Sequence, residues 1–142
     1  MTVVDKKRRK TLALTEWVTI ALVAGVLAAA AAVAVMALAI AIWPDVALFR
    51  PLESYSRAAL FAFVPALVAT AIFAWLAAQR QQPVPAFLTI VAIVLLLSFI
   101  PDFTLPFPNR TLLASSVASF LHVVAATVIV FVLVRSYRRR AE

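Results

Sequence analysis

This chain of 142 residues has no cysteine, one glycine and one histidine, and each scarcity removes a class of chemistry. Without cysteine there is no disulfide, no thiolate metal site, no iron–sulfur ligand and no cysteine nucleophile. With His122 as the single histidine, a bis-histidine haem site would need a second copy of the chain. Charge is scarce as well: charged residues make up 13% of the chain, against 65% hydrophobic residues and a mean hydropathy of +1.06. A water-soluble domain cannot cover itself with so little polar surface, whereas lipid accepts apolar side chains on the outside of a bundle as readily as on the inside. Residues 1–142 therefore read as a single membrane domain, all-α, an antiparallel four-helix transmembrane bundle.

What is present is a series of apolar runs with marked ends. Trp17 to Trp43 is far longer than the roughly 7–15 residues of a cleavable signal core, so it reads as an uncleaved first span, approximately 17–43, with Thr15 as its cap and Glu16 beside it. Ala24, Ala28 and Ala32 recur every fourth residue with Gly25 and Ala29 alongside, a stripe that lets a second helix approach closely. The second span, approximately 58–78, contains Pro65, which cannot donate to the carbonyl of Phe61 and is expected to kink the helix. The third, approximately 85–101, opens on Pro85 and is short if it stops at Pro101, unless the helix continues kinked toward Leu105. The stretch from Pro101 to Pro108 reads as a non-helical loop folded onto the interface. Asn109 then caps the fourth span, approximately 111–134, which ends in Arg135, Arg138, Arg139 and Arg140.

Four spans put both termini on one side. All of the net charge of +7 falls on the face that holds the termini and Arg80, while Arg50, Arg57 and Arg110 on the other face are balanced by Asp45, Glu53 and Asp102. The positive-inside rule then makes both termini cytoplasmic, in a multi-pass protein of the plasma membrane, here a bacterial inner membrane. Lys6, Lys7, Arg8, Arg9 and Lys10, with Arg135, Arg138, Arg139 and Arg140, are expected to contact anionic lipid on the cytoplasmic side. The basic residues flank spans, so nucleic acid is not an expected partner; a homo-oligomer or another membrane protein is.

His122 is the ionisable residue inside a span, about 15 Å from the start of the fourth helix. Ser115, Ser119, His122 and Ala126 share one helical face, which makes His122, Ser115 and Ser119 the candidate intramembrane polar site, the imidazole bonding a hydroxyl or a freed carbonyl near Pro65 either as interhelical glue or as a working group. Asp102, placed in the loop, stands too far above His122 to orient it, unless the proline-rich segment dips inward. No catalytic constellation and no metal-ligand cluster is visible, and the first span lacks the acidic residue with which small drug exporters couple protons. The expectation is a non-enzymatic structural or accessory membrane protein without a cofactor; the alternative is a small-molecule transporter, or a haem- or quinone-binding protein using His122.

Leu95-Leu96-Leu97-Ser98-Phe99-Ile100-Pro101, then Leu112-Leu113-Ala114 and Phe120-Leu121-His122-Val123-Val124-Ala125-Ala126, resemble a family of small bacterial four-span membrane proteins of unknown function. The resemblance implies the four-span topology and a recurring His122, and it brings no activity.

Overall fold

The computed structural model describes residues 12–141, so the candidate lipid contacts Lys6, Lys7, Arg8, Arg9 and Lys10 lie outside the described residues. Four helices carry the chain: α1 (Leu14–Ile42), α2 (Tyr55–Gln79), α3 (Pro83–Thr104) and α4 (Leu112–Ala141). Each is long and apolar enough to cross a membrane. Between α1 and α2 the chain makes two short 3-10 turns, Pro44–Leu48 and Arg50–Leu52.

Helix ends differ from the sequence expectation in instructive ways. Ala13, not Thr15, precedes α1, and the Glu16 carboxylate accepts the Ala13 amide at 2.8 Å, which is half of a capping box. Ser54 caps α2, accepting from the Arg57 amide. Helix α3 starts at Pro83 rather than Pro85, because a first-turn proline gives up an amide that has no helical partner. The cap of α4 is Thr111, whose hydroxyl accepts the Ala114 amide at 3.1 Å. Asn109 instead adopts a left-handed φ of 56° and donates its side-chain amide to the Leu48 carbonyl. This ties the α3–α4 loop to the α1–α2 connector.

The small-residue stripe on α1 is the spine of the bundle. Ala24, Gly25, Ala28 and Ala32 are all buried, and α1 packs most extensively against α2 and α4. Partners run in opposite order along neighbouring helices: Trp17 meets Phe73 of α2 and Tyr137 of α4, while Gly25 lies against Phe63. At the end that holds the termini each helix contributes one ring to a cluster, with Phe73 fully buried between Trp17 at 5.9 Å, Phe87 at 4.6 Å and Tyr137 at 5.2 Å. A second core, around Met36, Phe49, Leu52 and Leu121, closes the opposite end. Helix α2 is continuous through Pro65, which faces outward, so the pyrrolidine ring does not crowd a neighbouring helix.

Candidate functional site

The largest departure from the sequence expectation creates the site. The residues from Pro101 to Thr104 are not loop; α3 runs through Pro101 and carries Asp102 into the bundle. Four hydrogen bonds hold this last turn. The Leu105 amide donates to the Pro101 carbonyl, the Thr104 hydroxyl donates to the Ile100 carbonyl, and the Arg110 guanidinium donates to the carbonyls of Phe103 at 2.6 Å and Leu105 at 3.1 Å. A cation on the last carbonyls of a helix satisfies orphan acceptors and suits the negative end of its dipole.

Asp102 is buried against the serine face of α4. Its backbone carbonyl accepts the Ser115 hydroxyl at 2.6 Å and its carboxylate accepts the Ser119 hydroxyl at 3.1 Å. His122 Nε2 stands 3.4 Å from the same carboxylate oxygen. Helical Cα–Cβ bonds lean toward the N-terminus of their own helix. Asp102 therefore leans back along α3, His122 leans toward the start of α4, and the two side chains meet between their backbone levels. The condition under which Asp102 could reach His122, an inward turn of the proline-rich segment, is met.

Ser115, Ser119 and His122 do share a face, as their spacing implied, and all three converge on Asp102. Their exposures differ in a way that assigns roles. The Asp102 side chain is 7% exposed and the His122 side chain 37%, so the carboxylate is the fixed element and the imidazole the open one. A contact of 3.4 Å is longer than the roughly 2.7–2.9 Å of a charge-assisted hydrogen bond, which leaves the imidazole hydrogen-bonding capacity for a third group.

That third group has a place to stand. A cavity of about 600 Å³ opens beside the pair, with Asp102 and His122 on one wall and Phe61, Phe107 and Leu121 among its apolar lining. Arg50 and Arg57 also line it; Arg57 is held by Glu53 at 2.9 Å and by the Arg50 carbonyl at 2.7 Å. Among the described residues no cluster of three or more His, Cys, Asp or Glu side chains could hold a metal ion. The sequence leaves open whether α3 ends at Pro101 or continues, and the signal that decides it is Arg110, placed to cap a helix that continues.

The model of the family of unknown function DUF6069 matches residues 12–139, and the chain belongs to that family. No curated protein and no solved structure matches it.

Proposed function

We propose that this member of the family is a non-enzymatic ligand-binding protein of the cell membrane, and that the Asp102–His122 pair anchors the polar end of a small, flat amphipathic molecule of the quinone class. The observation that supports this reading is the carboxylate–imidazole contact on the wall of a cavity whose remaining lining is largely apolar. Burying a carboxylate and an imidazole side by side in a membrane interior costs stability, and such groups there usually serve ion, proton or ligand handling. Ser119 fixes the carboxylate, which stands 3.4 Å from His122 Nε2. A carbonyl oxygen arriving from the cavity can accept from the imidazole while its ring lies against the apolar lining that includes Phe61 and Phe107. Haem through His122 is less well supported, because Nε2 already faces a carboxylate and the chain has no second histidine.

Titration of the purified protein with a short-chain quinone, followed by calorimetry, tests the proposal. Loss of one hydrogen bond to the ligand should weaken binding about tenfold in His122→Ala, with a comparable loss in Asp102→Asn through misorientation of the ring. Unchanged affinity in both variants, or no binding to the wild type at millimolar quinone, would sink it.

We place both termini in the cytoplasm on the charge asymmetry alone. Reporter fusions at Glu142 and within residues 45–56 check this: the terminal fusion should report cytoplasm and the loop fusion the opposite side. The reverse pattern would invert the topology.

A further inference from the structure

Helix α3 is fully buried only near its two ends, with Ile90 and Val91 packing partly against the core between them. Its buried residues are Pro83, Phe87 and Asp102, so the stretch between Phe87 and Asp102 holds no buried side chain. In lipid an unpacked helix face does not stay bare, because the hydrocarbon fills whatever the neighbouring helix leaves. The gap here is a distinct groove of about 750 Å³ between α3 and α4, walled by Val84, Leu88 and Leu95 on one side and by Ala126 and Val130 on the other. Away from the arginines its floor is apolar apart from Thr127, whose hydroxyl is spent on the Val123 carbonyl at 2.8 Å.

One end of the groove is different. Arg135, Arg138 and Arg139 close it, at the end of the bundle that carries the termini. Arg135 lies 5.5 Å above the ring of Phe131, which itself lines the groove. The ion pair at this end, among the described residues, is Arg140 with Glu16 at 2.7 Å, and it leaves the three groove arginines outside it. From Val84 to Leu95 the groove extends about 16 Å along the helix, close to the roughly 15 Å of one leaflet's hydrocarbon.

We propose that this groove is a binding site for one anionic phospholipid, with its phosphate among Arg135, Arg138 and Arg139 and an acyl chain lying between α3 and α4. Charge and shape select this occupant together. A free phosphate would use the arginines and leave the aliphatic wall uncovered, and a zwitterionic lipid would use the wall and gain little from three guanidinium groups. The site is separate from the Asp102–His122 cavity and does not depend on what that cavity binds.

The test is native mass spectrometry of the detergent-purified protein offered phosphatidylglycerol, phosphatidylcholine or inorganic phosphate. The wild type should retain one phosphatidylglycerol at least roughly tenfold better than phosphatidylcholine, a modest fraction of what three cations at a charged surface can provide. Replacing Arg135, Arg138 and Arg139 together by Gln should bring the two lipids level, and replacing them by Lys should restore most of the preference. Ala126→Phe, which fills the groove from α4 with the arginines intact, should abolish the retained molecule, and Ala92→Phe does the same from α3. Both alanines border the groove rather than the core, and a matching elution volume on size exclusion confirms that the bundle stands. Equal retention of the two lipids by the wild type would overturn the site. So would undiminished retention in both groove-filling variants, displacement of the lipid by inorganic phosphate, or a second copy of the chain bound in place of lipid.

Discussion

Phe73→Ala should be the most destabilising single truncation in the protein, costing about 3 kcal/mol. The estimate joins about 2 kcal/mol for an unrelaxed aromatic-sized cavity with a share of the roughly 0.5–1.5 kcal/mol carried by each aromatic pair. The ring is fully buried and touches one aromatic from each of the other three helices, so no single helix can close the void. Lipid is as apolar as the core, and the transfer part of the usual penalty falls away; what remains is lost packing. Phe120→Ala is the matching control. Phe120 is 55% exposed on α4, and its removal should change stability by less than about 0.5 kcal/mol. Reversible unfolding in mixed micelles compares the two, and similar losses would mean that the aromatic cluster does not hold the four helices together.

The second large effect belongs to Gly25. A Cβ placed there would stand 2.6 Å and 2.7 Å from two ring carbons of Phe63, closer than carbon atoms approach, so the ring must move or α1 and α2 must separate. Phe63 is only half-buried, and its ring can swing toward lipid. Gly25→Ala should therefore be mild, whereas Gly25→Leu exceeds what the ring can yield and should cost about 1–3 kcal/mol as overpacking. Phe63→Leu in the same chain should recover much of the Gly25→Ala loss, a non-additivity confined to residues in contact. Additive effects of the pair, measured in the same unfolding assay, would show that the contact is not the cause.

The regular parts of this architecture were legible in the chain itself. Long apolar runs, the arginines after Val134 and the alanine stripe of α1 each depend on one periodicity or one end signal, and the helices follow them closely except that α4 runs on through the arginines to Ala141. Ser115, Ser119 and His122 were legible as a face for the same reason. Asp102 was not. A proline removes one amide donor and strains the turn before it, but it does not forbid another turn when distant groups satisfy the carbonyls. Here those groups are Arg110 and Ser115, which belong to the loop and to the next helix. The aromatic cluster escaped too, since Trp17 reads by itself as an interface marker. Only laying the four helices side by side puts Trp17, Phe73, Phe87 and Tyr137 at one level.

The site requires Asp102 to lie inside the bundle against α4, and the absence of native cysteine makes that directly measurable. In the otherwise cysteine-free chain, Asp102→Cys combined with Ser119→Cys should form a disulfide rapidly under mild oxidation in membranes, because the parent side chains touch at 3.1 Å. Asp102→Cys with Ser116→Cys should remain reduced, since Ser116 faces away on the exposed side of α4. Failure of the first pair to cross-link, or equal cross-linking of both, would contradict the site.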